Sequence, residues 1–437
     1  MSTRFFKSHY LFGVLLLLSS ACASTWKSKA AIDPRLVARA LNDPVELPTQ
    51  RVNPASIPVI KPPVSIRPCC AFGMDLTAKL GEVPVPGYKN GNLFGPEEVG
   101  PHGYDSGLTG LSENNGLVYT CRGGFIDTAH IRDNADRTLY LALEIARQLP
   151  GGFTINMPEE AVLRRVIVKP LPPGVLERYG RWTVATTLAQ WVNYQFSIWH
   201  EIATWYGWQS IKGFSERLSA FSLEDLYSNV LGERLAAGIV LNHETSSREA
   251  YDRAMDAWTR EALRRLSAVS KVDARRAMQS VDGLWWDSKK RIPDNKLVLR
   301  RQLNLASPQQ PWLVVDAATK GPVRDELKQM CAKAPPPLPL SIPEQLGDQK
   351  IEELLRLEFE FSGWLPEGFP ITAQKGTIFT QAEFPAIMKD IRDKGEKELG
   401  LGFDQLRPLR DEGKPVARAL PASSAPTAVA LRFAHRP

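Results

Sequence analysis

At 437 residues, 43 % of them hydrophobic, the chain can bury a substantial core as one large domain or two smaller ones. Its net charge of +6 is modest for that length. No dense Lys/Arg stripe interleaves with aromatic residues, which argues against nucleic acid as a partner and leaves only weak attraction to anionic lipid.

The N-terminus carries a targeting pattern. Arg4 and Lys7 precede an apolar run, Leu11 to Leu18, that is too short to span a bilayer. Ser19-Ser20-Ala21-Cys22 follows and resembles a bacterial lipoprotein signal, in which Cys22 becomes the lipidated first residue. Ala23, rather than Asp, fits sorting to the outer membrane. The alternative is an ordinary secretory signal cleaved near Ala21 or Ala23. The expected location is therefore exported and lipid-anchored, on the periplasmic side of the outer membrane. No other hydrophobic run is long enough to cross a membrane. The expected organisation begins with a signal peptide over residues 1–21 and a Pro/Ala/Ser-rich tether over 22–63.

Export places the remaining cysteines, Cys69, Cys70, Cys121 and Cys331, in an oxidising compartment. Four cysteines allow three complete pairings. Cys69 and Cys70 are adjacent, so a bond between them is strained, and the expectation is that one of them bridges to Cys121.

A main domain is expected over 64–325, opening at Arg67-Pro68-Cys69-Cys70. Loops and short strands carry His102 and Tyr104. A helix is expected over about 126–148, ended by Pro150-Gly151-Gly152. Ala161 to Lys169 reads as a strand. An aromatic-rich helix spans about 182–208, and a third begins at Ser222, where Asp225 three residues on makes a capping-box-like start. An amphipathic helix follows over about 248–269, then a short one capped by Asp273. After the Pro-rich linker at 334–339, residues 351–361 look helical. A small appendage is expected over 326–412 and a disordered Ala/Pro/Arg-rich tail over 413–437. The expected fold class is α+β, mainly α: a helical core with short strands, long loops and a small C-terminal appendage.

Three of these helices carry polar residues where core is expected. At about 100° per residue, Asp127, His130, Asn134 and Arg137 fall within one arc of roughly 80°. Asn193, Ser197 and His200, with Glu201 adjacent, stripe the second helix, and Asp225 and Asn229 share a face of the third. Polar groups pointing inward must pair or bind something. One reading is a satisfied network that fixes helix packing. The other is a bundle metal site, with His130, His200 and Asp225 as ligands and Glu201 and Asp127 as catalytic carboxylates. Two imidazoles with carboxylates suit zinc first, then manganese or iron(II).

Two motifs bear on the chemistry. His200-Glu201-Ile202-Ala203-Thr204 has the spacing of the zinc-protease H-E-x-x-H, with Thr204 in place of the second His; His130 is the candidate replacement ligand. Tyr119 to Phe125 resembles the Cys-small-Gly-Phe start of papain-like cell-wall peptidases, with Arg122 and a second Gly intruding, and would make Cys121 a nucleophile. The leading expectation is a metal-dependent hydrolase acting on a cell-envelope substrate. The rivals are a Cys121-dependent cell-wall hydrolase and a non-enzymatic lipoprotein binding a partner through the loops around His102 and Tyr104.

Five segments in order, RPCCAFG (67–73), NGLVYTCRGGFIDTAHIRDNAD (115–136), WHEIATWYG (199–207), FSLEDLYSNVLG (221–232) and LWWDSKKRIPDNKLVLRR (284–301), resemble an uncharacterised family of proteobacterial exported lipoproteins, a domain of unknown function. The resemblance covers roughly residues 60–320. It implies export, and it implies no activity, cofactor or catalytic residue.

Overall fold

The computed structural model describes residues 32–42, 54–64, 67, 71–80, 83–84, 93–105, 113–210, 215–317 and 319–406. The expected signal segment, Cys22, Cys69, Cys70 and the expected tail lie outside these residues. The helices are α1 (Pro34–Asn42), α2 (Thr128–Gln148), α3 (Val175–Tyr179), α4 (Arg181–Trp205), α5 (Asp225–Leu241), α6 (Arg248–Arg265), α7 (Lys271–Ser280), α8 (Pro322–Met330), α9 (Ile351–Leu354) and α10 (Phe384–Leu399). The strands are β1 (Lys79–Leu80), β2 (Val83–Pro84), β3 (Leu117–Thr120), β4 (Gly124–Asp127), β5 (Phe153–Glu160), β6 (Val162–Val168), β7 (Gln345–Leu346), β8 (Gln349–Lys350), β9 (Leu355–Glu360) and β10 (Ile378–Phe379). The fold is α+β and mainly α, as expected. Among the described residues no helix is long and apolar enough to cross a membrane.

The core is built on α2, α4 and α5, which pack on one another. Almost every residue of α5 is buried, because α1 and α6 cover the faces that α2 and α4 leave. Gly232 lets α5 approach α2 closely: a methyl group there would collide with the Ile131 carbonyl. Each buried Leu, Ile or Val of this core stabilises the fold by roughly 1.5–3 kcal/mol.

A four-stranded antiparallel sheet, in the order β10-β9-β6-β5, lies against α4. Trp199 of α4 meets Phe359 of β9 and Phe379 of β10, with ring centroids 5.4 and 5.3 Å away. β5 and β6 form a hairpin turning at Ala161, with an irregular register between Met157 and Glu160. That irregularity sets the direction in which Glu160 leaves the sheet.

Several sequence expectations are corrected. Residues 351–361 were expected to be helical, but only one turn forms, and Leu355–Glu360 is strand β9, paired with β6 along its length. Leu355, Leu357 and Phe359 point inward, while Glu358 and Glu360 bond Arg165 across the strand pair, so tertiary pairing overrides local helix preference. Within the stretch read as a tether, Pro34–Asn42 is helical and buries Val37, Ala40 and Leu41. Its Ala40 carbonyl accepts a bond from Arg234. The short helix α7 is capped by Ser270, not Asp273, which is its third residue.

Cys121 bonds to Cys331, with Cα atoms 5.4 Å apart, and not to Cys69 or Cys70. The reason is the path of the C-terminal segment. It runs alongside the β3–β4 turn, where Leu338 donates to the Arg122 carbonyl and Arg122 donates to the Pro336 carbonyl. A disulfide sulfur is no thiolate, and β4 separates Cys121 from the start of α2, so the Cys121 nucleophile is excluded on both counts.

Candidate metal centre

The site starts where β4 becomes α2. Asp127 caps the helix, its carboxylate accepting from the Ala129 amide at 2.7 Å, and its own N–H donates to Ser228 Oγ at 2.9 Å. These bonds fix the first turn of α2 against α5 and aim His130 at the helix interface. There His130 Nδ1 lies 3.0 Å from Asp225 Oδ1 and 3.7 Å from Asp127 Oδ2.

The second imidazole enters from α4. His200 Nδ1 is 2.6 Å from Glu160 Oε1 at the end of β5, and Glu160 is also ion-paired with Arg164. Burial disfavours the charged form of His200, but the Glu160 carboxylate outweighs it and raises the imidazole above its ordinary range. Burial likewise opposes the charge of Glu160, yet Arg164 and His200 hold it well below the usual carboxylate range. Each histidine thus has Nδ1 engaged by a carboxylate, which orients the ring and assigns Nε2 as the nitrogen for a ligand. Such carboxylate–imidazole pairs are the usual outer support of a metal-bound histidine.

Glu201 follows His200 in α4. Its Oε2 accepts from the Phe221 amide at 2.6 Å, and its Oε1 is buried without a hydrogen-bond partner. Burial, then the Asp225 charge, push its carboxyl up to about 7, against the pull of His200, His130 and the Phe221 amide. One ligand atom from each of His130, His200 and Glu201 lies within 4.8 Å of the other two. The three line a cleft of about 290 Å³, whose walls also carry Arg67, Arg137, Arg164, Ser197, Trp208 and Glu216.

Beneath this cluster the asparagines of the polar stripe bond one another, with Asn193 Oδ1 and Glu233 Oε2 left without hydrogen-bond partners. Asn134 donates to Asn229 Oδ1 at 2.6 Å and to the His130 carbonyl. Asn193 donates to Asn134 Oδ1 and Glu233 Oε1, both at 2.9 Å. Ser197 and Thr204 return their hydroxyls to backbone carbonyls of their own helix, so Thr204 does not act as the missing histidine.

His102 and Tyr104 are buried rather than displayed. His102 Nε2 is 3.0 Å from Asp136 Oδ1, and Arg67 grips Glu113 through two nitrogens at 2.6 and 3.0 Å. Asp252 and Asp256 of α6 accept from the Tyr104 and His102 amides. This network clamps His102 and Tyr104 onto α2 and α6.

The structure brings His130, His200 and Glu201 together, and places Asp127 and Asp225 behind them. Asp127 caps α2, and Asp225 faces the far nitrogen of His130. Glu160 was missed by sequence reasoning: it sits on a strand, in Pro158-Glu159-Glu160-Ala161, with no spacing relation to His200.

Fold and site together define an α+β protein with a carboxylate-braced His/His/Glu cluster at the foot of a cleft. The chain belongs to a family described as "Protein of unknown function (DUF4056)", whose model matches residues 57–315. Neither a curated protein nor a solved structure matches the chain. The matched segment contains all three residues of the cluster and both carboxylates behind the histidines, Glu160 and Asp225.

Proposed function

We propose that this chain is an exported, lipid-anchored cell-envelope protein with a divalent-metal hydrolase site, zinc being the favoured ion. The carrying observation is that the ligand atoms of His130, His200 and Glu201 converge within 4.8 Å in a cleft, with a carboxylate behind each imidazole. Two imidazoles and one carboxylate are a known catalytic zinc set, which leaves a fourth position for water. A metal there would lower the pKa of that water to about 7 and polarise a substrate carbonyl or phosphoryl oxygen. Glu201 serves as ligand through Oε1, while the Phe221 amide holds Oε2. Glu160 and Asp225 orient the imidazoles from the Nδ1 side, at 2.6 and 3.0 Å, and leave Nε2 for a ligand. Asp127 fixes the helix start from which His130 projects.

Two features support the envelope part of the reading: the Arg4/Lys7, apolar-run and Cys22 pattern, and the Cys121–Cys331 disulfide, which fits an oxidising compartment. Metabolic labelling with palmitate, retained by the wild type and lost in Cys22→Ser, tests the anchor. Elemental analysis of purified, zinc-reconstituted protein tests the centre. One zinc per chain is expected, lost in His130→Ala and in His200→Ala with the circular dichroism unchanged. A wild-type chain that takes up no transition metal would sink the reading in favour of a structural polar network.

A further inference from the structure

We propose that Arg137 anchors an anionic group of the substrate, a carboxylate or a phosphate, about two helical turns from the metal centre. This rests on the reading of His130, His200 and Glu201 as that centre. Arg137 stands seven residues after His130 on α2, so its Cα is displaced by only about 20° around the helix and roughly 10.5 Å along it. Both residues line the same cleft.

The charges around it single Arg137 out. Arg67 is held by Glu113, Asp133 and Asp136. Arg164 is paired with Glu160 and donates to the Pro158 carbonyl. The cleft carboxylates are engaged too: Asp133 by Arg67, Glu160 by His200, Glu159 by the Ser362 hydroxyl, Glu216 by Ser210 and Glu201 by the Phe221 amide. Arg137, by contrast, makes one ion pair among the described residues, to Asp133 Oδ2 at 3.9 Å, beyond hydrogen-bond distance. Asp133 already gives its other oxygen to Arg67.

Its side chain is 19 % exposed. A largely desolvated guanidinium whose planar fork of donors meets no close acceptor is a site for a bidentate oxyanion. A substrate would then span the cleft with its reacting bond at the His/His/Glu cluster and its anion at Arg137. Such a two-point grip sets both register and chain length.

Zinc-loaded protein should be titrated with octanedioic acid monohydroxamate, its methyl ester and the corresponding ω-phosphonate, following binding by isothermal titration calorimetry. The hydroxamate occupies the metal, and the far end reports on Arg137. In the wild type the anionic probes should bind at least tenfold more tightly than the ester, and the better of the two names the preferred anion. In Arg137→Gln that preference should vanish while zinc stoichiometry stays at one, and Arg137→Lys should keep part of it. An ester that binds as well as the acids in the wild type, or a preference surviving in Arg137→Gln, overturns the proposal. If the wild type binds no zinc, the metal reading fails on its own. Inorganic phosphate titrated into the zinc-free chain then still reads the guanidinium: loss of binding in Arg137→Gln supports it, and equal binding refutes it.

Discussion

Replacing Asp225 by Asn separates a metal ligand from a residue that positions one. Asp225 Oδ1 is 3.0 Å from His130 Nδ1, and its other oxygen accepts from the Ser222 amide at 2.7 Å. The change keeps size but removes the charge and one of the two acceptor oxygens, so the amide nitrogen must face either Ser222 N–H or His130 Nδ1. If Asp225 only holds the imidazole, zinc affinity should fall about 10–100-fold, which is about 1.4–2.7 kcal/mol. His130→Ala removes a ligand and should lower affinity well beyond that range. The assay is a competition titration against a chromophoric zinc chelator at constant pH, with thermal melting to confirm folding. Asp225 is also the charge, after burial, that lifts the Glu201 carboxyl to about 7. The variant should therefore make Glu201 easier to ionise, partly offsetting the loss at His130. An Asp225→Asn protein that binds zinc as poorly as His130→Ala would make Asp225 itself a ligand. One that binds as well as the wild type would refute the outer-support role.

Breaking the disulfide with Cys331→Ser opens a crosslink spanning 210 residues; loop-closure entropy puts the loss at up to about 5 kcal/mol. Equal urea midpoints for wild type and variant would refute a stabilising role. Gly232→Ala should lower stability by about 1–3 kcal/mol through the clash with the Ile131 carbonyl, or more if α5 cannot shift, and a neutral melting temperature would contradict the close α2–α5 contact. The Arg67 network predicts acid sensitivity. Burial pushes Glu113 and Asp136 up, but Arg67, with His102 at Asp136, leaves both carboxyls below their ordinary values of 4.5 and 3.8. A depressed folded pKa stabilises above the unfolded value and loses that contribution as pH falls through the folded one. The stability gap between wild type and Glu113→Gln should thus be widest near neutrality and narrow as pH falls below 4.5, the ordinary value for Glu113, as read by denaturation at stepped pH; a constant gap would refute the linkage.

The large helices were legible because their apolar residues recur at helical spacing over many turns. α2 and α4 lie within a few residues of the expected spans. The misses came where a short element is decided by its neighbour. Leu355 to Glu360 alternates over only six residues, and reading it as a strand requires knowing that β6 is beside it. Residues 34–42 hold three inward apolar residues among Pro, Ala and Arg, a weak signal until α5 and α6 supply a surface. The disulfide partner was hidden for the same reason: 210 residues separate Cys121 from Cys331, and only the packed C-terminal segment brings them together.

The candidate site shows a finer limit. A polar residue on an apolar stripe announces that something is satisfied there, and the sequence marked His130, His200 and Glu201 on that ground. It could not divide the carboxylates by role, because the division depends on shifts of one or two residues. Expected to begin near Ile126, α2 begins at Thr128, and this moves Asp127 from the inward face of the first turn to the cap. A cap accepts from the helix's own amides, so Asp127 is turned back toward the backbone and away from the cleft. The start of α5 lies three residues beyond Ser222, so Asp225 opens the helix, close enough to His130 to brace it from behind. Glu160 lies outside any helical pattern and acquires its role from the register shift at the end of β5. The difference between a packing network and a binding site therefore rests on a few atoms. Asn134, Asn193 and Asn229 bond one another or nearby carbonyls, whereas Glu201 Oε1, like Asn193 Oδ1 without a hydrogen bond, belongs to a carboxylate that lines the cleft beside both imidazoles. An unsatisfied buried carboxylate oxygen costs about 1–3 kcal/mol or more, and a cation at that point would offset it.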